Sequence, residues 1–336
     1  MRRKRPESIL VADIGGTNAR FALFLDQGER PMLHAQRSLP TADFASLQQA
    51  AQHYLESAGA RPSRAAIAVA CPVQGEDIRL TNRAWSFNRE ELRLALDLDE
   101  LLVINDFGAA ARALPALDHK EFECLHGEPD APLQAPVSVI GPGTGMGMAL
   151  LTDCPVTRWR VIETEGGHAS FAPLGSEEQR IHDWLTERIG QRISIERLLS
   201  GRGLSRIHGA LAGIPAGFSR TPHEALMPPP EVVRLALAGE DRTARDALAR
   251  FCAILGSVAG DTALIHGART VAIAGGIVPR FIPFLRTSAF RERFLDKGRF
   301  AAYLENVRIL VVTHPDPGLL GAALQLQDSD RLKAQA

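Results

Sequence analysis

The chain has 336 residues, 45% of them hydrophobic and 23% charged, and its 38 Lys and Arg nearly balance 39 Asp and Glu. That length exceeds one ordinary core and predicts two lobes, while the near-neutral balance excludes a global field for nucleic acid or an anionic membrane, so any anion is bound locally. The four cysteines, Cys71, Cys124, Cys154 and Cys252, show no C-x-x-C spacing, which argues against a zinc site or disulfide framework and fits buried thiols in a reducing cytosol.

The opening Arg2-Arg3-Lys4-Arg5 run is not followed immediately by an apolar stretch and reads as a solvated tail rather than a secretory leader. The longest apolar runs, at residues 65–73 and 271–278, fall far short of the roughly 18 residues that span a bilayer. A cytoplasmic protein with neither a membrane nor a nucleic-acid partner is expected.

In chain order, Ser8-Ile9-Leu10-Val11-Ala12 stops at Asp13-Ile14-Gly15-Gly16-Thr17 and Phe21-Ala22-Leu23-Phe24-Leu25 follows, which predicts strand, glycine turn, strand. Phe44, Leu47, Ala51, Tyr54 and Leu55 keep helical spacing, and residues 65–70 return as a buried strand. A strand over 101–104 leads into Asn105-Asp106 and a short helix over 107–114. After a Pro- and Gly-rich loop at 127–136, a strand over 137–140 ends in a second glycine turn, Gly141-Pro142-Gly143-Thr144-Gly145-Met146-Gly147.

Ser176 with Glu177, Glu178 and Gln179 reads as a capping box opening a helix that turns Ile181, Trp184 and Leu185 inward and ends near Gly190. Leu248, Phe251, Cys252, Leu255, Val258 and Ala259 predict a long core helix over 243–266. Val271-Ala272-Ile273-Ala274 run into Gly275-Gly276, and a strand over 309–312 runs into Pro315-Asp316-Pro317-Gly318 before a last helix over 319–326. This alternation predicts an α/β fold. Residues 16–23 laid over 143–150 agree at Gly, Thr, Ala and Leu, which predicts a duplicated hairpin, one in each lobe.

A glycine turn between strands presents several backbone N–H groups to one point, and a Thr adds a hydroxyl, so each turn is a candidate phosphate cradle. Neither is G-x-x-x-x-G-K-[ST], nor G-x-G-x-x-G opening a helix, so P-loop and dinucleotide-binding readings fail. An ordinary tight hairpin is the plain alternative. Asp13, ahead of the first turn, can hold Mg2+ through its water shell. Asp106 reads either as the cap of the following helix or as a general base for a sugar hydroxyl, with Asn105 beside it to bind a polyol. Glu165-Gly166-Gly167-His168 suits neighbouring hydroxyls of a sugar ring better than a zinc set. Glu196 reads on its own as a helix-surface charge.

Taken together, these segments resemble one family, the proteobacterial glucokinases: Asp13-Ile14-Gly15-Gly16-Thr17-Asn18-Ala19-Arg20, Leu80-Thr81-Asn82 with Trp85, Ile104-Asn105-Asp106-Phe107, Gly143-Thr144-Gly145, Glu165-Gly166-Gly167-His168, Glu196-Arg197-Leu198-Leu199-Ser200-Gly201, Ala274-Gly275-Gly276 and Asp296-Lys297-Gly298-Arg299-Phe300. The resemblance implies a two-domain, actin-like (ribonuclease H-like) sugar kinase fold, with a small α/β domain over 1–116 plus 316–336, a large one over 117–315, and a cleft between them. It implies ATP and Mg2+ as cofactors, glucose as acceptor at its 6-hydroxyl, and a homodimer. By that similarity Asp106 is the base, and Asn82, Asn105, Glu165, His168 and Glu196 hold the sugar. Ala12, Asp13, Ile14, Gly15, Gly16 and Thr17 form the first phosphate loop, Gly143, Thr144 and Gly145 the second, and Gly275 and Gly276 lie near the adenosine. Pro142 and Arg202 depart from the pattern of some members. The competing readings are a kinase for another hexose, a sugar-sensing regulator on the same fold, and a nucleotide-binding protein without sugar chemistry.

Overall fold

A computed structural model describes residues 8–25, 32–80, 85–216 and 226–335, so the basic N-terminal run and Asn82 lie outside the described residues. The chain divides into two compact units, one formed by Met1–Asp118, Leu151–Glu163 and His314–Ala336, the other by His119–Leu150 and Thr164–Thr313.

The first unit is built on β1 (Ser8–Ile14), β2 (Asn18–Leu25), β3 (Met32–Pro40), helix α1 (Leu47–Ala58), β4 (Arg64–Val69), the short pair β5 (Asp77–Arg79) and β6 (Ser86–Asn88), α2 (Arg89–Ala95), β7 (Glu100–Asn105) and α3 (Asp106–Ala113). Its main sheet has the order β3-β2-β1-β4-β7. β1 pairs antiparallel with β2 and parallel with β4, which pairs parallel with β7. The central strands are nearly all apolar because both faces are covered. Leu10, Ala12 and Ile14 pack with Leu47, Ala51 and Tyr54 of α1; Ile9 and Val11 point the other way, onto Leu319, Ala322 and Leu326 of the C-terminal helix. Ser46 caps α1 by accepting the Gln49 N–H at 3.2 Å, and Gly59 closes it in the left-handed conformation at φ 60°, a geometry that favours glycine.

The second unit contains β8 (Phe122–His126), β9 (Val137–Pro142), β10 (Met146–Cys154), β11 (Arg158–Thr164), α4 (Gly175–Ile189), α5 (Gly201–Leu211), α6 (Pro229–Ala238), α7 (Arg242–His266), β12 (Thr270–Ile273), α8 (Ile282–Thr287), α9 (Phe290–Leu295), α10 (Ala301–Leu304) and β13 (Arg308–Val312). The segments of β10 and β11 that fall within residues 151–163 group with the first unit. The last helix, α11 (Pro317–Lys333), returns to the first unit. The sheet order is β11-β10-β9-β12-β13-β8, with β12 parallel to both β9 and β13. Without the edge strand β8, this is the order of the first sheet, as a duplication requires.

Helix α7 is the core of the second unit and is capped by Asp241, whose carboxylate accepts the Ala244 N–H at 2.9 Å. Among the described residues it is also the one helix long and apolar enough to cross a membrane, but 72% of its apolar window is buried inside the protein. Gly256 and Gly260 admit α9, because a Cβ at either position would strike the carbonyl of Phe290 or Phe294. Across the same contact Glu178 of α4, with its side chain fully buried, meets Arg250 at 3.1 Å and Arg293 at 2.8 Å.

Two sequence expectations change. Ser176 is not a cap: α4 starts one residue earlier, after Leu174, whose N–H is accepted by Glu178 Oε2 at 2.8 Å. Trp184 turns inward as expected, partly buried against the core, with its Nε1 donating to the Ile214 carbonyl at 2.7 Å. Cys71 and Cys252 are buried as expected, but Cys124 and Cys154 are partly exposed.

Candidate active site

In the first unit the parallel strands end level, with Ile14 opposite Val69 and Val69 opposite Asn105. The first glycine turn and the Asn105-Asp106 pair therefore lie on the same carboxyl edge of the sheet, where α/β proteins bind ligands. The turn is closed by the Gly15 N–H donating to the Asn18 carbonyl at 3.0 Å. Buried Thr41 holds it from the side, its hydroxyl donating to the carbonyls of Gly16 at 3.0 Å and Thr17 at 3.1 Å. Thr17 itself is exposed.

Asp13, near the end of β1, faces Arg20 at 3.3 Å, and the same guanidinium reaches Asp316 at 3.2 Å. Burial pushes the Asp13 carboxyl above its ordinary range, Arg20 pulls it down, and Asp316 adds to the upward push. Helix α11 starts against this group: a Cβ on Gly318 would sit 3.1 Å from Asp13 Cγ.

The start of α3 corrects the plain reading of Asp106. The cap is Asn105, whose Oδ1 accepts the N–H groups of Phe107 at 2.9 Å and Gly108 at 3.0 Å. Asp106 is the first helical residue, and its Oδ1 accepts from Phe107 N at 2.8 Å. Asn105 Nδ2 donates to the Cys71 carbonyl at 3.5 Å, and Asn105 N donates to Glu163 Oε1 at 3.2 Å.

In the second unit the loop of Gly143, Thr144 and Gly145 follows β9 and closes on itself through Gly143 N to Gly145 O at 2.8 Å. Gly201, at the start of α5, donates to the Gly143 carbonyl at 2.9 Å. Ala274 N donates to Ile140 O at 2.7 Å, which brings Gly275 and Gly276 beside this loop. Gly275 has φ 90°, and a Cβ there would lie 2.7 Å from the Pro142 carbonyl, so the position requires glycine on both counts.

Glu196 is not a helix-surface charge. It lies in a single 3-10 turn, Ile195–Arg197, and its Oε2 accepts the Met146 N–H at 3.0 Å. Glu165 precedes a 3-10 turn, Gly166–His168, and its carboxylate is 3.8 Å from His168 Nε2, with both side chains more than half exposed. Ile195 N donates to Ala169 O at 2.9 Å and Phe171 N to Ile193 O at 3.0 Å, which splices this turn to the Glu196 turn. Gly167 lies tight under β10, where a Cβ would strike the Met146 carbonyl. Glu165, His168, Glu196 and the second glycine loop thus converge in one unit. Sequence reasoning missed Thr41, Arg20, Asp316 and Glu163 as supports; only Arg20 and Asp316 carried a signal, since both stood in quoted motifs.

The glucokinase family model matches residues 10–329. The glucokinase of Chromobacterium violaceum is 43% identical over 95% of this chain and 89% of its own length, and that of Zymomonas mobilis is 43% identical over 94% of this chain and 96% of its own. The crystal structure of a glucokinase from an Antarctic psychrotroph, 36% identical, superposes with a TM-score of 0.81 over 96% of this chain and all of its own. The fold is the two-domain, actin-like fold of sugar kinases, and the chain belongs to the glucokinase family.

Proposed function

We propose that the protein transfers the γ-phosphoryl group of ATP to the 6-hydroxyl of glucose, giving glucose 6-phosphate and ADP. The observation that carries this reading is the level ending of β1, β4 and β7. It sets the first glycine loop and Asp106 on one edge, two strand spacings or about 10 Å apart. Phosphoryl transfer asks mainly for positioning and charge stabilisation, so one group to hold the phosphates and another to orient the acceptor is the arrangement required.

In the step itself the 6-hydroxyl oxygen bonds to the γ-phosphorus, the bond to the β,γ-bridging oxygen breaks, ADP leaves, and the hydroxyl proton passes to the Asp106 carboxylate. Asn105, Glu165, His168 and Glu196 hold the remaining hydroxyls, with Asn82 assigned by resemblance alone. Residues 12–17 and 143–145 hold the phosphates, and Gly275 and Gly276 admit the adenosine because neither has a side chain to obstruct it. Asp13, desolvated and near a second carboxylate, is suited to a hydrated cation, and Mg2+ bound there would neutralise phosphate charge. We read the two compact units as the small and large domains expected over 1–116 plus 316–336 and over 117–315. A cytoplasmic homodimer completes the reading.

The test is a coupled phosphotransfer assay with Mg-ATP across glucose, mannose, glucosamine and fructose. Glucose should give the highest kcat/KM, and ATP hydrolysis without sugar should be low, because binding of the correct acceptor completes the catalytic arrangement. Sedimentation of the purified protein should show a dimer.

A further inference from the structure

Glu163, the penultimate residue of strand β11, makes contacts that no role described so far requires. Its Oε1 accepts the Asn105 backbone N–H at 3.2 Å. The same oxygen lies 2.6 Å from where a Cβ on Gly108 would stand. The carboxylate therefore flanks the first turn of α3, the turn that begins with Asp106.

Two features set this contact apart from ordinary helix capping. The Phe107 and Gly108 N–H groups are already taken by Asn105 Oδ1, so the helix start is capped without Glu163. Gly108 also precedes Ala109, Ala110 and Ala111 in the helix, where Ala in place of Gly would favour the helix. The missing methyl makes room for the Glu163 carboxylate.

We infer that Glu163 is a positioning residue for Asp106. By holding the Asn105 backbone, it fixes the turn on which the base is mounted and so the direction from which the carboxylate meets the acceptor hydroxyl. The inference rests on the reading of Asp106 as the base. A carboxylate at a helix N-terminus is favoured by the helix dipole, which helps to keep Glu163 in place.

The experiment measures kcat, KM for ATP and Tm in Glu163→Ala, Glu163→Gln, Gly108→Ala and the Gly108→Ala/Glu163→Ala double variant, with Asp106→Asn alongside. Misplacement of a reacting group by about 1 Å costs up to roughly 10²-fold. Glu163→Ala should therefore lower kcat about tenfold or more while KM for ATP and Tm hold. Glu163→Gln keeps an acceptor oxygen and should recover most of the loss. Gly108→Ala should lower kcat by displacing the carboxylate, and should add little once Glu163 is already Ala. Wild-type kcat in Glu163→Ala, equal loss in the Ala and Gln variants, or additive losses in the double variant each overturn the inference. If Glu163→Ala does not fold, wild-type kcat in Gly108→Ala overturns it instead. Activity surviving in Asp106→Asn defeats the base assignment; an inactive Asp106→Asn beside a fully active Glu163→Ala defeats only the positioning role.

Discussion

Glu196 Oε2 accepts the Met146 backbone N–H at 3.0 Å, so a residue assigned to sugar recognition also braces the second glycine loop. A Cβ on Gly145 would lie 2.5 Å from that same oxygen. Gly145→Ala should displace the Glu196 carboxylate and disturb both functions together. KM for glucose and KM for ATP are expected to rise several-fold each, as measured by steady-state kinetics. A change confined to ATP would show that Glu196 does not serve the sugar.

The Glu178 carboxylate is fully buried between Arg250 and Arg293 and also accepts the Leu174 N–H at the start of α4. Removing one partner leaves two guanidinium groups without it, and breaking a buried pair in this way costs about 3–5 kcal/mol. Glu178→Ala should lower the denaturant midpoint accordingly, while the catalytic constants of the fraction that remains folded stay near wild type. Equilibrium unfolding in urea checks this.

His208 on α5 is buried with no hydrogen-bond partner at Nδ1 in this structure. Burial pushes its imidazole below the ordinary value of 6.5, against a smaller upward pull from Asp241. His266, half-buried with its Nδ1 3.1 Å from Ser138 Oγ, is lowered in the same direction by burial. A depressed folded-state value means the unfolded chain binds protons more readily in that window. Stability is therefore full above about 6.5 and is lost as pH falls through the folded values below it. Tm should decline from about pH 7 to about pH 5, and less steeply in His208→Leu. An unchanged slope in that variant would falsify the assignment of the acid loss to His208.

The parts of the site legible in the sequence were those written in local pattern. Both glycine turns ended apolar runs whose sheet partners were also apolar, and the match between residues 16–23 and 143–150 predicted a duplicated hairpin, which corresponds to the neighbouring strands β1 and β2 in one sheet and β9 and β10 in the other. The supports were not legible because they reach the site from distant segments. Thr41 meets the first loop from 24 and 25 residues away, and Glu163 meets Asn105 from 58. Ser176 and Asp106 illustrate a different failure. Ser176 reads as a cap and Asp106 as either a cap or a base, and each stands inside the helix, because neighbouring polar residues compete for the same few N–H groups and sequence alone does not rank them. The edge strand β8 was hidden in a segment too mixed in polarity to show a period of two.

Asn105 and Asp106 separate capping from chemistry. Asn105→Ala removes the acceptor for two helix N–H groups and should cost about 1 kcal/mol of stability, seen as a lower Tm. Asp106→Asn keeps the side chain's shape and leaves the cap untouched, so its Tm should match wild type.

The most direct test of the account is therefore the turnover of Asp106→Asn with saturating glucose and Mg-ATP. Loss of the general base should lower kcat by about 10²- to 10⁴-fold with the protein fully folded. Turnover near the wild-type rate would contradict the assignment of Asp106 as the residue that accepts the sugar's proton.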